Sequence, residues 1–516
     1  MANLLATKPL KVILDEAQET GEHSLRRALG PNNLIALGIG AIIGTGIFVL
    51  AGTATAQYAG PAIILSFVLA ATGCVFAGLC YAEFASAIPV AGSAYTYGYA
   101  SLGEIFAWII GWDLILEYAF GAATVASGWS GYLLSLLGDF HIKLPASLAG
   151  TRWDEFVFYK NHWEPINLLM PKVQSGEVSL SALPHAFGSF NLFGFLAILI
   201  ATLILVIGIR ESANFNTAIV YIKVGVLIIF IIIGGHFLIT HPELMKMNWH
   251  PFIPPAQGGG QYGWSGISRG AAVIFFAYIG FDAVSTAAQE TKNPARDMPI
   301  GILGSLAICT VLYILVAGIL CGLVNYRYLN VRDALAVGID KTGVGWGSLL
   351  VKTGALLGLS STIVVMLLGQ SRVFFSMSRD GLMPKMFSTV HPRFRTPWIS
   401  TLTVGIIVAL LAASLPINLL GDMVNIGTLL AFVIVCAGVW IVRRRNPNLQ
   451  RPFRTPMVPL VPILGIVISA YLMANLPLAT WIRLVVWLVL GMVIYFGYGR
   501  SHSRVQRGAL AMQSRP

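Results

Sequence analysis

The sequence predicts an all-α membrane protein with about twelve membrane-spanning helices. Of its 516 residues, 56% are hydrophobic and only 11% are charged, and the mean hydropathy is +0.76. Soluble domains do not have this composition. The apolar residues fall into runs that are each close to the roughly 20 residues a helix needs to cross a bilayer. The runs cover residues 31–55, 60–85, 100–136, 190–209, 212–240, 264–289, 300–324, 346–376, 398–415, 418–442, 457–477 and 480–499.

Composition also excludes several classes of protein. The five cysteines all lie inside apolar runs without metal-ligand or CxxC spacing, so we expect buried thiols, no disulfide framework, no metal and no cofactor. The net charge of +11 is not gathered in a basic patch with interleaved aromatics, which argues against nucleic-acid binding. No Ser/His/Asp or Cys/His constellation lies at a helix end, so we do not expect an enzyme.

Basic residues separate the two sides of the predicted membrane. An even number of helices places both termini on one side, which carries the polar tail 1–30, the arginines at 443–445 and the tail 500–516. The opposite side has fewer basic residues over longer loops, and its longest segment, 139–189, is expected to form an ordered cap. The positive-inside rule therefore predicts cytoplasmic termini in the plasma (inner) membrane, with attraction to anionic membrane lipid.

The first apolar run is interrupted by Gly38, Gly40, Gly44 and Gly46. Each glycine weakens a helix by about 1 kcal/mol relative to alanine. A broken helix survives in a bilayer only where it is buried in protein or lines a polar cavity. The break offers amide groups at one helix end and carbonyl groups at the other, and together they suit a small zwitterion. The alternative is a glycine-rich face that allows close helix packing.

The sixth apolar run is interrupted in a corresponding place, around Phe276–Asp282, where an aspartate closely follows Gly280. Interrupted runs at matching positions in two halves are typical of inverted-repeat transporters. We therefore expect a first repeat of five helices at 31–240, a second at 264–442, and two further helices at 457–499.

Four motifs in order resemble the amino acid–polyamine–organocation (APC) superfamily. They are GAIIGTGIF at 40–48, EF at 83–84 followed by PVAGSAY at 89–95, ETKNPARDMP at 290–299, and GQSRVFFSMSRDG at 369–381. The strings WDLILEY at 112–118 and FAYIGFD at 276–282 are most similar to bacterial members of the cationic amino acid transporter (CAT) family. The resemblance covers residues 25–445. It implies a LeuT-type fold of five-plus-five inverted repeats with helices one and six broken, and amino acid import coupled to protons.

Main-chain groups around the two breaks are expected to bind an amino acid. Amide groups and a hydroxyl of the first break bind its carboxylate, and carbonyl groups of the same break bind its ammonium. The resemblance implies that carbonyl groups of the second break join them and that a phenylalanine ring closes over the substrate, although this ring also fits an ordinary core position. The residues are Gly44, Thr45 and Gly46 for the carboxylate, Ile42 and Ile43 for the ammonium, and Phe276, Ala277 and Ile279 from the second break, with Phe276 supplying the ring.

Three carboxylates fall inside apolar runs. Burying an ionisable group in a membrane costs free energy, so each of them is a candidate functional residue. Glu117 follows Asp113 by four residues, so both can share one helix face. Glu117 and Asp282 are candidates for meeting a charged substrate side chain. The alternatives are an ion pair between Asp113 or Glu117 and a neighbouring helix, and a structural role for Asp282 beside the broken backbone.

Lys223 lies about three turns from either end of the fifth apolar run, too deep to reach the interface easily. A lysine buried in this way can gain and lose a proton. The resemblance places it where sodium-coupled relatives bind sodium, between the first break and the eighth run. Ser360, Ser361 and Thr362 are its expected hydroxyl neighbours. The alternative is a permanently charged lysine paired with a carboxylate.

Met366 corresponds, by resemblance, to the position that faces the substrate side chain. Mammalian relatives that prefer arginine carry a small polar residue there. A methionine narrows the pocket and adds no hydrogen bond, which favours small neutral amino acids such as alanine. A plain core methionine is the alternative.

The leading hypothesis is a proton-coupled symporter that imports small neutral L-amino acids. The alternatives are a transporter or exchanger of cationic amino acids or polyamines and, from another class, a non-transporting amino acid sensor. A sensor would be favoured by a long soluble output module, and the predicted tails are short.

Overall fold

In the computed structural model the chain is almost entirely helical. The structure describes residues 4–9, 12–13, 29–90, 93–142, 144–159, 162–166, 169, 173, 177–207, 212–394 and 396–508. Parts of the predicted tails 1–30 and 500–516, parts of the predicted cap 139–189 and two residues of the motif at 89–95 therefore lie outside the described residues.

The main helices are numbered here in chain order. They are α1 (Pro31–Ile42), α2 (46–59), α3 (Ile63–Ala87), α4 (Ser93–Ser101), α5 (Glu104–Asp139), α6 (Leu192–Ile207), α7 (Ser212–Thr240), α8 (Pro242–Trp249), α9 (Gly263–Ile274), α10 (Asp282–Glu290), α11 (Pro294–Leu323), α12 (Ala334–Asp340), α13 (Gly345–Arg379), α14 (Trp398–Ser414), α15 (Ile417–Arg445), α16 (Leu460–Ala474) and α17 (Leu478–His502). Single helical turns occur at Gly60–Ala62, Ala146–Ala149, Leu180–Ala182, Phe275–Tyr278, Tyr326–Tyr328 and Lys385–Ser388.

The helices have the length and surface of a membrane protein. Eight helical stretches in the described part of the chain are long and apolar enough to cross a bilayer, and four shorter apolar helices, α1, α6, α14 and α16, accompany them. Large apolar side chains such as Ile232 and Val486 are more than half exposed on these helices, as expected for a surface that meets lipid. The chain is a multi-pass membrane protein.

A small antiparallel sheet adds to the predicted all-α fold. It lies between α5 and α6 and has the strand order β2–β1–β3, with β1 at Glu155–Tyr159, β2 at His162–Pro165 and β3 at His185–Phe187. Phe156 of β1 is buried against the turn Ala146–Ala149. Strands this short have too little apolar periodicity to be recognised beside spanning helices. Asp154, which precedes β1, pairs with Arg332 in the connection after α11 and fastens the sheet to the helices.

The two ends of the helical bundle are named here after the elements that lie at each of them. The sheet end carries β1–β3. The termini end carries residues 4–9 and the end of α17, which meet at the ends of α5 and α13. Lys8 Nζ lies 2.9 Å from Asp380 Oδ1, and Tyr495 Oη donates to Glu104 Oε1 at 2.8 Å. The described residues nearest to the two chain termini therefore lie at the same end of the bundle.

A buried aromatic group supports the centre of the bundle. Phe67 of α3, Tyr278 of the turn after α9 and Tyr313 of α11 contact one another with ring centroids 5.7 to 6.2 Å apart. Tyr278 Oη donates to the Phe67 carbonyl at 3.1 Å. Edge contacts between aromatic rings contribute about 0.5–1.5 kcal/mol beyond their buried area, so this group holds the segment between α9 and α10 against its neighbours.

Candidate functional site

The first predicted interruption is present between α1 and α2. The helix leaves α geometry at Ile43, whose ψ is 96°, and helical structure resumes with α2 at Gly46. The last carbonyl groups of α1 and the first N–H groups of α2 have no partners within their own helices. Thr45 is fully buried between them, and within the described residues its Oγ1 has no hydrogen-bond partner. The break thus offers unused donors in the protein interior.

The second predicted interruption lies between α9 and α10. The single turn Phe275–Tyr278 is followed by Ile279 in an extended conformation and by Gly280 at φ +117°. This positive φ is unfavourable for residues with a Cβ. A Cβ at Gly280 would also lie 2.9 Å from the main-chain carbonyl carbon of Ala41. The position therefore requires glycine both for its conformation and for its contact with α1.

The two breaks pack directly on each other. A Cβ added to Gly46 would lie only 2.2 Å from the Cα of Ala277. Together with the contact between Gly280 and Ala41, this brings the backbones of the two interrupted segments together at two points. The start of α2 and the backbone of the second break consequently border the same small region of the interior.

Lys223 of α7 joins the first break to α13. Its fully buried Nζ donates to the carbonyl oxygens of Gly40 at 2.6 Å and Ile43 at 3.0 Å, and to Thr362 Oγ1 at 3.0 Å. These three bonds use all the protons of an ammonium group. No carboxylate of the described residues lies within 4 Å of it, so the alternative of a lysine–carboxylate pair is not realised.

Thr362 is the one of the three predicted hydroxyl neighbours that reaches Lys223. Its Oγ1 also lies 3.3 Å from the Gly40 carbonyl and 3.2 Å from the Ile43 carbonyl. The Ser360 hydroxyl bonds to Leu356 and Trp129 instead, and the Ser361 hydroxyl donates to Gly358. Helix geometry explains this, because consecutive residues of α13 face different directions.

The carbonyl groups of Ile42 and Ile43, both expected to face the ammonium of a substrate, differ in their surroundings. Ile43 accepts from Lys223 and also lies 3.2 Å from Thr362 Oγ1, whose single proton is shared among the carbonyls of Ile43, Gly40 and Gly358. Ile42 accepts one bond, from Tyr313 Oη at 2.9 Å, and keeps one lone pair. Sequence reasoning missed Tyr313, because an isolated tyrosine in an apolar run carries no charge or motif.

The side chains of Glu117 and Asp282 lie near each other between α5 and the start of α10. Both residues are fully buried, Thr428 lies beside Glu117, and Tyr118 Oη donates to Asp282 Oδ2 at 3.3 Å. Neither forms an ion pair with a described residue. Among the described residues, both oxygens of Glu117 and Oδ1 of Asp282 have no hydrogen-bond partner. Thr428, on α15, had no sequence signal.

Asp113 corrects one expectation. It lies one turn before Glu117, is 1% exposed and contacts Gly427 of α15, but neither of its oxygens has a partner among the described residues. The expected ion pair with a neighbouring helix is therefore absent from this part of the chain. The physical reason is that α15 presents a glycine and no cation at this level.

Met366 lies on α13, one turn beyond Thr362 and on the same helix face. It is 3% exposed, and a Cβ added to Gly121 of α5 would lie 3.6 Å from its sulfur. Gly121 follows Glu117 by one turn, and Gly128 of the same helix contacts Thr45. Helix α5 thus runs from the carboxyl pair past Met366 to the first break. All the predicted site residues are buried.

Comparisons with known proteins show the family of the chain. A family model described as amino acid permease matches residues 29–497. A branched-chain amino acid permease of Bacillus subtilis is 43% identical over 492 residues, covering 95% of this chain and 97% of the relative. A methylthioribose transporter of the same organism is 40% identical, covering 98% and 100%. The vacuolar cationic amino acid transporter 4 of Arabidopsis thaliana is 30% identical, covering 94% and 93%.

The matched region includes both helix breaks, Lys223 and the carboxyl pair, and it extends across the resemblance found in the four motifs. The chain belongs to the amino acid permease family of the APC superfamily and resembles its cationic amino acid transporter members.

Proposed function

We propose that this protein is a proton-coupled symporter that imports small neutral L-amino acids, such as alanine, by alternating access. The observation that carries the proposal is the meeting of the two helix breaks beside the ammonium group of Lys223. Unpaired amide and carbonyl groups there suit the two charged ends of an amino acid. No enzymatic step and no cofactor are part of this function.

The proposed architecture has twelve membrane-spanning helices in two inverted repeats of five, at 31–240 and 264–442, followed by a pair at 457–499. The eight long stretches and four shorter apolar helices support this number. The repeats are supported by the interrupted segments α1–α2 and α9–α10, each of which opens one group of five. We place the termini end in the cytoplasm and the protein in the plasma (inner) membrane, because the arginine-rich segments lie at that end.

In the proposed complex the substrate carboxylate binds the amides of Gly44, Thr45 and Gly46 and the unpartnered Thr45 hydroxyl. The helix dipole of α2 favours a negative charge at this end. The substrate ammonium binds the remaining lone pair of Ile42 and carbonyl groups of the second break. These are the carbonyl groups of Phe276, Ala277 and Ile279, with the Phe276 ring covering the substrate. The Ile43 carbonyl is proposed to bind the ammonium as well, through the lone pair that does not accept from Lys223.

The proposed preference for a neutral side chain rests on Met366. Its buried sulfur lies between Thr362 and Gly121, so the substrate side chain meets an apolar group before it reaches Glu117 and Asp282. The relative from Bacillus subtilis that is 43% identical is named as a branched-chain amino acid permease, which also favours a neutral substrate. Branched-chain amino acids are a second candidate for that reason. Cationic substrates are the alternative, since the carboxyl pair would meet a positive side chain.

Proton coupling is proposed for Lys223. Its ammonium ties the first break to α13, much as a bound cation would, and a second cation in this low-dielectric region would be repelled. Loss of the proton would remove the charge and one of the three donors, which weakens the attachment of the Gly40 and Ile43 carbonyl groups to Lys223. A difference in substrate affinity between the two protonation states is all that is needed to couple the gradient to uptake.

Uptake into proteoliposomes tests the proposal. We expect accumulation of alanine under an imposed inward proton gradient, equally with and without sodium. It should be abolished by a protonophore. A panel of alanine, leucine, arginine, a polyamine and methylthioribose separates the candidate substrates. Binding without any uptake would favour a sensor, and uptake that depends on internal amino acid would favour an exchanger.

A further inference from the structure

A small cavity lies on the sheet-end side of the two breaks. It is enclosed by α2, α9 and α15 and has a volume of about 30 Å³. Leu50, which lines it, follows Gly46 by about one turn. Most of the other lining residues have polar side chains. The other lining residues are Thr53, Gln57, Tyr58, Val273, Asn418, Gly421, Asp422 and Asn425. The cavity is therefore one turn outside the region where the breaks meet.

Asn425 supplies this cavity with an unused acceptor. Its side chain is 1% exposed, and Nδ2 donates to the Val273 carbonyl at 3.0 Å. Within the described residues its Oδ1 has no hydrogen-bond partner. A buried acceptor without a partner costs about 1–3 kcal/mol, so the position calls for a ligand that can donate a hydrogen bond.

Asp422 supplies a second acceptor three residues earlier on the same helix face. Its carboxylate accepts one long bond, from Thr480 Oγ1 at 3.4 Å. It has no ion-pair partner within 4 Å in the part of the chain that the structure describes. Two oxygen acceptors, one of them charged, thus line the cavity and leave room for a cationic donor.

A positive charge lies close to the cavity, on Arg269, which also donates to the carbonyl of Asn475. The guanidinium of Arg269, on α9, lies over the ring of Tyr58 at 5.3 Å from its centroid, and it acts electrostatically on Asp422, as does Arg483 of α17. Tyr58 itself lines the cavity. A carboxylate that lines the cavity and a guanidinium beside one of its lining residues therefore lie close together, which is unfavourable for a simple ion of either sign and favourable for a zwitterion.

We infer that this cavity is an outer binding site for the main-chain groups of a free amino acid. The ammonium binds Asp422 and Asn425 Oδ1, and the carboxylate faces Arg269. A volume of about 30 Å³ holds one group of the size of water or ammonium, so the side chain of the ligand stays in the mouth. The site recognises amino acids of any side chain and holds them one turn from the breaks. This inference rests on the proposed transport function.

The test compares the uptake kinetics of Asp422→Asn with those of wild type. The variant should raise the KM for alanine about tenfold, as expected when one partner of a charge-assisted contact is lost, and leave the maximal rate unchanged. Asp422→Glu should restore the wild-type KM. Asp340→Asn, which removes an exposed carboxylate from α12 at the same end, is the matched control and should change neither value.

Arg269→Gln tests the other half of the site. It should raise the KM for alanine without changing the inhibition of uptake by alaninol, an amine that lacks the carboxylate. Weaker inhibition by alaninol in this variant would overturn the assignment of Arg269. The thermal unfolding midpoint of each variant in detergent identifies variants that have lost the fold. If Asp422→Asn is one of them, the KM of Asp422→Glu for alanine tests the role of Asp422.

The result also separates this inference from the proposed function. If wild-type protein takes up no amino acid, the proposed function is wrong. If wild type transports and Asp422→Asn keeps its KM, or loses maximal rate at unchanged KM, the outer site is overturned while the transport function stands.

Discussion

The Nζ of Lys223 lies 2.6 Å from the carbonyl oxygen of Gly40, at the end of α1 where the helix breaks. This is the carbonyl end of the helix, which carries partial negative charge and favours a cation. The same ammonium reaches Thr362 on α13. One side chain of α7 therefore links the broken helix to α13, in addition to the direct contact of Thr362 with the same helix end.

Replacing Lys223 with alanine should abolish the accumulation of substrate against its gradient. This substitution removes the side chain for which proton coupling is proposed, beside the first break. The internal concentration of substrate should therefore no longer exceed the external concentration. Counterflow exchange of labelled for unlabelled alanine should persist, because the breaks themselves remain. Uptake under an imposed pH gradient measures the first effect.

Lys352→Ala is the matched control for that experiment. Lys352 is also a buried lysine, 4% exposed, but it pairs at 2.6 Å with Asp139 far from the breaks. Asp139 is half exposed and can be solvated after the change, so a loss of no more than about 1 kcal/mol in unfolding free energy is expected. Accumulation should continue. Full accumulation by Lys223→Ala would contradict the proposed coupling.

Met366→Ser should extend the substrate range toward arginine. The change removes an apolar group beside Gly121 and opens the space between the substrate site and the carboxyl pair of Glu117 and Asp282. Competition of unlabelled arginine against labelled alanine measures it. Stronger competition by arginine than by alanine in the wild type would show that the assignment of Met366 is wrong.

Gly46→Ala should destabilise the protein and lower uptake. Its Cβ would overlap the backbone of Ala277, and overpacking of this kind costs about 1–3 kcal/mol or more. Gly225→Ala is the matched control, because nothing lies within 4 Å of a Cβ at that position of α7. It should be neutral or slightly stabilising. Thermal unfolding in detergent compares the two, and equal midpoints would show that the breaks do not touch in solution.

The pairing of β1 and β3 should weaken as pH rises. His185 Nδ1 lies 2.7 Å from Glu155 Oε1 and Nε2 lies 3.0 Å from the Leu180 carbonyl, and both nitrogens can donate only in the protonated ring. The bond to Leu180, and then that to Glu155, raises the pKa of His185 above its ordinary value. The stabilisation is therefore complete below about pH 6.5 and is lost as pH rises through the raised pKa of the folded state.

Amide exchange protection factors of 155–159 and 185–187 measure this effect. They should be higher at pH 5.5 than at pH 8.5, and Glu155→Gln should reduce the difference. Protection that rises with pH would contradict the assignment.

Features that depend only on neighbouring residues in the chain were predictable from the sequence. The apolar runs, the glycines of the first break, and the glycine and aspartate of the second depend on local composition and helix propensity. Lys223 was predictable as a candidate because a cation in the middle of an apolar run is costly without a function or a partner. The sheet β1–β3 was missed, since its strands are short and pair across a loop.

Sequence patterns were sufficient to predict the membrane location, the helical class, the places where two helices break and the family of the chain. The contacts between side chains became known only from the three-dimensional arrangement of the helices: Lys223 with Gly40 and Thr362, Tyr313 with Ile42, and Glu117 near Asp282, while Asp113 has no hydrogen-bond partner among the described residues. These contacts join residues from helices distant in sequence, so their distances depend on how the helices cross and rotate. Local propensity contains no information about rotation, and a helix turned by one residue would present a different side chain to the breaks.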